Sequence, residues 1–352
     1  MRIEELRTRL RDLGAKPGHE RRILAAWTRA GHLDRRHSRA EDYLPRAVRA
    51  ALPGLLAEFD GLARVRAEHP GCDGSARLLV TLADGQTVES VLLPRAGVCV
   101  STQVGCAVGC RFCMTGRDGL LRQLGSAEIV AQVNLARDRR QVKKVVFMGM
   151  GEPAHNLDHV LEAIDLLGTE AGIGHKNLVF STVGDRRVFE RLPVGRVRPA
   201  LALSLHSTDP ALRAELLPKA PRIDPAELVA LAETYARTTG YPIQYQWTLL
   251  AGVNDSEAEI DRLGALLAGK YAMMNFIPYN SVEGSGYQRP DWDHARALAR
   301  RLNGHGILTK LRDSAGQDIE GGCGQLRARH LGDMPARFSR PGGGRAPGAP
   351  AG

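Results

Sequence analysis

Residues 98–116 read VCVSTQVGCAVGCRFCMTG. The stretch opens as an apolar, strand-like run, VCVSTQV (98–104). It then sets Cys106, Cys110 and Cys113 within eight residues as C-x3-C-x2-C. Three thiolates on one tight loop suit three irons of a [4Fe–4S] cube, and with no fourth cysteine nearby one iron keeps an open position. Gly105 and Gly109 let the loop wrap closely around such a cluster. A structural zinc site is the alternative, but zinc favours four closed ligands, usually as paired C-x2-C knuckles, and the chain has no second knuckle.

Downstream of this loop, strand-like and helical runs alternate. The strand-like runs are KVVFMG (144–149), LVFST (178–182), ALALSLH (200–206), IQYQWTLL (243–250), MMNFIP (273–278) and ILTKLRD (307–313). Helical patterns such as PAELVALAETYART (225–238) and SEAEIDRLGALLA (256–268) lie between them. Such alternation predicts an α/β fold with a parallel sheet covered by helices, and the number of units predicts a partial (β/α)6 barrel over residues 96–330. In barrels the chemistry sits where strands end, and MGMGEP, STVG, SLHS and PYN each close a strand-like run.

Upstream, residues 1–65 read as an arginine-rich, all-helical accessory domain, with YLPRAVRAALPGLLAEF interrupted by Pro45 and Pro53. The domain is either a solvated cap or an RNA-docking module. Residues 66–95 form a small β segment, in which ARLLVTLADGQTVESVLLP carries an Asp-Gly hairpin turn. The Gly/Pro-rich tail, 335–352, is expected to be disordered. The chain has 352 residues, and Lys plus Arg number 48 against 39 Asp plus Glu. That excess suits a polyanionic partner without proving one. No run of about 18 apolar residues exists, so no membrane-spanning helix is expected. The charged N-terminus lacks a secretory signal, and a cytoplasmic location follows as the expectation. There the cysteine cluster reads as a metal site and not as a disulfide framework.

At these strings the chain resembles a known family. C-x3-C-x-aromatic-C is similar to the radical S-adenosylmethionine (SAM) superfamily. CVSTQVGC, MGMGEPAHN, FST, SLH, IPYN and DSAGQDIEGGCGQL look like the RlmN/Cfr family of radical SAM RNA adenine methyltransferases. The match is collinear from Glu89 to Leu326, and DLGAKPGHERRILAAW resembles that family's accessory domain more weakly. The resemblance implies that Cys106, Cys110 and Cys113 hold a [4Fe–4S] cluster whose open iron chelates SAM. Reductive cleavage of SAM there yields a 5′-deoxyadenosyl radical. Phe112 is placed to pack against the adenine of SAM.

The resemblance also gives roles to two isolated cysteines. Adenine C2 and C8 are electron-poor and do not attack a sulfonium methyl group. In the family one cysteine, matching Cys323, takes a methyl group from a first SAM. A second SAM supplies the radical that activates that methyl group for addition to the base, so two SAM are used per turnover. A second cysteine, matching Cys99, forms a transient disulfide with Cys323 and releases the product. Both thiols are then expected to be partly exposed in the cavity. A carboxylate matching Glu89 is the proton acceptor. Gly151 and Glu152 contact the amino group of SAM, Ser181, Ser204, Leu205 and His206 surround its ribose and adenine, and Asn280 completes the pocket. The implied partners are ribosomal or transfer RNA and a flavodoxin-like electron donor, with the enzyme a monomer.

On residue type alone, Cys99 reads as a small buried hydrophobe, Glu152 as a satisfied core carboxylate, and His206 as a strand-end cap. Cys323 stands between glycines that leave its thiol open, and Cys72 matches nothing. The chain departs from the family at Gln246, Trp247 and Ala251, within QWTLLAGVND, and at LLPKAPR. A different RNA or a different adenine is one consequence of those departures. The competing functions are a radical SAM enzyme with a non-RNA substrate and a zinc-containing RNA-binding protein.

Overall fold

The computed structural model describes residues 1–29, 43–282 and 284–326. The tail 335–352 and the last residues of the expected barrel, 327–330, lie outside the described residues. Among the described residues three helices come first: α1 (Ile3–Asp12), α2 (Pro17–Thr28) and α3 (Arg46–Gly61). Apolar residues at helical spacing make them amphipathic: Ile3, Leu6 and Leu10 on α1, and Val48, Leu52, Leu55 and Phe59 on α3, are buried. Phe59 stacks on Trp27 with ring centroids 4.6 Å apart. The expected interruption at Pro53 does not occur, and α3 runs through it. Pro53 removes one helical hydrogen bond and its ring crowds the carbonyl four residues back, yet the buried stripe on either side keeps the helix together. Several arginines of this region are spent on ion pairs: Arg9 with Glu58 at 2.7 Å, Arg7 with Glu20 at 3.4 Å, and Arg11 with Glu20 at 3.0 Å. The N-terminal chain is tied to the rest of the molecule by the Ile3 N–H, which donates to Ser126 Oγ at 2.8 Å.

Strands β1 (Ala63–Pro70), β2 (Ala76–Leu82) and β3 (Thr87–Leu93) form an antiparallel meander, and the Asp84–Gly85 turn joins the last two as expected. β1 begins within the stretch expected to be helical. Its inward positions are small or interrupted by a bulge at Val65/Ala67, so the period-two apolar signal is weak. β3 pairs antiparallel with β4 (Gly97–Cys99), so the meander extends the main sheet.

From β4 the chain passes through β5 (Gln103–Gly105) and β6 (Leu120–Gln123), a two-stranded ribbon that brackets the cysteine loop. Alternation then sets in: α4 (Ser126–Arg137), β7 (Lys144–Phe147), α5 (Leu157–Thr169), β8 (Leu178–Thr182), α6 (Arg186–Arg191), β9 (Ala200–Ser204), α7 (Pro210–Leu216), α8 (Pro225–Thr239), β10 (Ile243–Leu249), α9 (Glu257–Leu267), β11 (Ala272–Pro278), α10 (Trp292–Gly304) and β12 (Leu308–Leu311). Asp209, Asp224, Ser256 and Asp291 cap α7 to α10 by accepting an otherwise free N–H of the first turn.

All strands except β5 and β6 belong to one ten-stranded sheet, in the order β1-β2-β3-β4-β7-β8-β9-β10-β11-β12, parallel from β4 onward. β1 and β12 stand at its edges, so the barrel is partial. Six β/α units are present, as expected, with β12 as a seventh parallel strand. β8 and β9 are buried along nearly their whole length, the pattern of a parallel sheet covered by helices. No helix among the described residues is long and apolar enough to cross a membrane.

The run expected as one strand, 98–104, is broken in the middle. The Ser101 N–H donates to Gln132 Oε1 at 2.9 Å, and Ser101 Oγ donates to the Glu89 carbonyl at 2.6 Å. These side-chain bonds replace the ladder and turn the chain out of the sheet toward the cysteine loop.

Candidate active site

The cysteine loop hangs from the β5–β6 ribbon. At Gly105 φ is +78°, and a Cβ would stand 2.1 Å from the Gly119 carbonyl oxygen, so only glycine fits. The Cys106 N–H donates to that same oxygen at 2.9 Å. The outer turn is pinned to the end of α7: the Arg111 N–H donates to the Leu216 carbonyl at 3.0 Å and the Lys219 N–H to that of Val108 at 3.2 Å. Two further bonds reach the C-terminal segment. The Met114 N–H donates to the Gly324 carbonyl at 2.7 Å, and Thr115 Oγ1 to the Leu326 carbonyl at 2.8 Å.

The loop walls a cavity of about 930 Å3 of empty volume, part of it open to solvent. Cys106, Cys110, Cys113 and Phe112 form one side, the ends of β7 to β11 form the floor, and Cys323 and Gly324 close it. Of the residues assigned to the SAM site, Gly151, Glu152, Ser181, Ser204, His206 and Asn280 line this cavity. Leu205 does not; its side chain is fully buried and its N–H donates to the Gln246 carbonyl at 3.1 Å.

Glu152 is held in place. Its N–H donates to Gln103 Oε1 at 2.7 Å, and its two carboxylate oxygens accept from the N–H groups of Ala154 at 3.1 Å and Val183 at 3.0 Å. Burial pushes its pKa up to about 7, against the lowering effect of these bonds and of the Thr182 hydroxyl. The assigned His206 has φ +62°, a conformation rare for a non-glycine residue. Its Nδ1 accepts from the Thr248 N–H at 3.0 Å, which fixes the neutral tautomer with the proton on Nε2. Asn254 locks this turn by donating to the carbonyls of His206 and Thr248, at 2.8 and 2.9 Å. Burial, reinforced by the Arg213 cation, drops the His206 pKa to about 3. Gln103, Gln132 and Asn254 were not foreseen. Gln103 and Asn254 are single amides inside quoted strings and Gln132 is one on helix α4, and nothing local distinguishes any of them from a surface residue.

Asn280 uses both amide hydrogens, donating to Ser314 Oγ at 2.9 Å and to the Cys323 carbonyl at 3.0 Å. Solvent reaches Cys323 through the cavity, yet the protein packed around its thiol raises the pKa; the Arg312 cation and the Ser314 hydroxyl act in the opposite sense. Cys99, expected to be partly exposed in the cavity, is instead buried at the end of β4, between β3 and β7, and is not part of the cavity lining. Burial first, and then the nearby Cys323, push its pKa up to about 12. Glu89 is also away from the lining. It is fully buried, and its Oε1 accepts from Arg77 Nη1 at 2.5 Å between β2 and β3.

Residues 100–263 match the radical SAM superfamily. A protein of Aromatoleum aromaticum named a probable RNA methyltransferase is 75% identical over 329 residues, covering 94% of this chain and 93% of its own length. A second of that name, from Thiobacillus denitrificans, is 70% identical over 341 residues, covering 97% and 94%. The crystal structure of a radical SAM methyltransferase from Sphaerobacter thermophilus shares the fold with a TM-score of 0.82 at 34% identity, covering 94% of this chain and 98% of that one. The chain belongs to the radical SAM methyltransferases.

Membership of the radical SAM superfamily implies a [4Fe–4S] cluster and SAM, and the donor set fits. Cys106, Cys110 and Cys113 are three soft sulfur ligands on one loop. Burial raises all three thiol pKa values, that of Cys106 to about 12, so a bound cationic cluster relieves the cost of holding thiolates there. Among the described residues no three His, Cys, Asp or Glu converge closely enough to hold a single ion. A cube takes each thiolate on a different iron, so its ligands need no common point.

Proposed function

We propose that this methyltransferase places a methyl group on an aromatic carbon of adenine, C2 rather than C8, in ribosomal or transfer RNA, with Cys323 as the methyl carrier. One observation carries the reading: Cys323 and the three cluster cysteines wall the same cavity. The relatives named for RNA methylation and the net charge of +9 support an RNA substrate.

When bound, the cluster and SAM supply a carbon-centred radical able to take hydrogen from an unactivated methyl group. Cys106, Cys110 and Cys113 hold the cluster, and Glu152 receives the amino group of SAM at the end of β7. The Cys323 sulfur forms a bond to the methyl carbon of a first SAM as S-adenosylhomocysteine leaves. A second SAM is consumed in activating that methyl group for addition to the base. Cys99, as its thiolate, then attacks the Cys323 sulfur; the S–S bond forms as the bond from sulfur to the methylene carbon breaks. That carbon takes a proton to become the methyl group, the methylated RNA departs, and a cellular dithiol reduces the Cys99–Cys323 disulfide before the next turnover. For this exchange the loop bearing Cys323 brings its sulfur to Cys99. Glu89 fits the proton-acceptor role less well than the cysteines fit theirs, because its carboxylate is engaged by Arg77.

Mass spectrometry of nucleosides from cells with and without this gene tests the function. Loss of a C-methyladenosine from ribosomal or transfer RNA on deletion is the expected result. An unchanged methyladenosine profile overturns the RNA assignment and leaves a radical SAM enzyme with another substrate.

A further inference from the structure

Strand register shows which side chains face the inside of the partial barrel. Paired residues of a ladder point to the same side of the sheet, and alternate residues along a strand to opposite sides. Ser181 lines the active-site cavity, so Val179 also faces inward; Val179 pairs with Val146, which puts Lys144 on the inner face of β7. Ile277 lines the cavity too, so Asn275 faces inward, and Asn275 pairs with Lys310 on β12. Arg312 continues that ladder, its N–H donating to the Phe276 carbonyl at 2.8 Å, and it shares the face of Lys310. Three cations therefore turn to the inside, from β7 and from the edge strand β12. Lys310 and Arg312 are exposed and Lys144 is half-buried. None of the three makes a salt bridge among the described residues; the neighbouring acid, Asp313, is turned to Arg289 at 2.8 Å. Burial, and then the charges of Arg312 and Lys310, lower the pKa of Lys144, and Arg312 also acts on the Cys323 thiol. The cations thus form a track that starts beside Cys323. A separate observation falls on the same face: the side chain of Asn275, next to Lys310, is buried and its Nδ2 donor has no partner.

We propose that Lys144, Lys310 and Arg312 form a phosphate-binding track inside the barrel, which holds the backbone of the substrate RNA at the nucleotide whose base meets Cys323. Three like charges and an unmet amide donor on one face repel one another or go unsatisfied until an anion with several acceptor oxygens joins them, and a phosphodiester is such a group. A nucleic-acid backbone asks for cations spaced along its phosphates, and a track matches that demand. The base must reach the Cys323 sulfur, so its own phosphate falls within reach of Arg312, and the lysines serve the phosphates beside it. The edge position of β12 leaves the side of the barrel open to a polymer. These contacts position the RNA and read no base. The inference rests on the RNA reading given above.

The test uses the anaerobic, cluster-loaded full chain and measures retention of bulk transfer RNA and of deproteinised ribosomal RNA on filters across a salt series. Arg312 is left intact because it stands beside the Cys323 thiol. The expected result for K144Q/K310Q is a fall of about tenfold in affinity at low salt for the RNA that wild type binds more tightly. The slope of log affinity against log salt should shrink by roughly one unit for each lysine, a change that a merely structural role would not produce. Iron content equal to that of wild type shows that the fold stands. Should the double variant lose iron, K310Q alone replaces it, with a fall of about threefold and a slope smaller by roughly one unit. Equal affinities and equal slopes in wild type and variant overturn the inference and leave the RNA reading intact. A wild-type enzyme that retains neither RNA overturns both.

Discussion

The backbone N–H of Met114 donates to the carbonyl of Gly324 at 2.7 Å. Met114 follows the last cluster cysteine and Gly324 follows Cys323, so this one bond sets the two sulfurs' segments side by side. Asn280 adds a second tether through the Cys323 carbonyl. Two stretches more than two hundred residues apart in the chain thus form one wall.

Gly324 makes that wall possible. Its φ is +86°, and a Cβ there would stand 3.0 Å from the Phe112 carbonyl oxygen. Gly324→Ala is expected to keep its iron but to slow methylation of Cys323 by about tenfold, in line with a strain of about 1–2 kcal/mol in a left-handed position. Iron analysis and the rate of label transfer from methyl-labelled SAM check this. An unaltered rate would show that the segment tolerates displacement.

Cys99 is buried outside the cavity lining, near enough to Cys323 for that thiol's charge to add to burial in raising its pKa, and its proposed resolving role is open to a direct test. Cys99→Ala should allow the first half of the reaction and block release. A covalent RNA adduct at Cys323 should then accumulate, seen as a retarded, RNase-sensitive band in denaturing gels. Free methylated RNA at the wild-type rate would remove Cys99 from the mechanism.

Arg77 and Glu89 form a fully buried ion pair. Removing one partner strands the other charge, so Arg77→Met should destabilise the fold by about 3–5 kcal/mol in urea unfolding, and the double change R77M/E89L should recover most of the loss. A double variant no more stable than the single one would mean that Glu89 carries no such burden.

Much of the site was legible in the sequence because its signals are local. The C-x3-C-x2-C spacing, the strand–helix alternation and the polar strings at the ends of β7, β8, β9 and β11 all fall within short windows. What escaped depends on contacts between distant segments. The Arg77–Glu89 pair joins neighbouring antiparallel strands, and Gln132 turns the chain out of the sheet from α4. For Cys99 the reading from residue type, a small buried hydrophobe, agrees with its place on β4 between β3 and β7, and it is the exposure implied by the resemblance that the structure does not show. At Pro53 the local rule predicts a break, yet the packed stripe of α3 outweighs it.

His206 is kept neutral in the folded protein, with a pKa of about 3, while in the unfolded chain it titrates near the ordinary histidine value of about 6.5. Between those limits the unfolded state binds the extra proton. Stability from this residue is therefore complete above pH 6.5 and falls as pH drops toward 3, by at most about 1.4 kcal/mol per pH unit. His206→Asn should flatten that part of the pH–stability curve of the cluster-free protein, measured by urea midpoints. Identical slopes in variant and wild type would contradict the assignment of a neutral, buried imidazole.

The methyl-carrier role of Cys323 is tested most directly by peptide mass spectrometry of the cluster-loaded enzyme after anaerobic incubation with methyl-labelled SAM. The label should sit on the Cys323 sulfur and pass to RNA in a chase. A labelled RNA product formed by Cys323→Ala, with Cys323 of the wild-type enzyme never carrying the label, would contradict it.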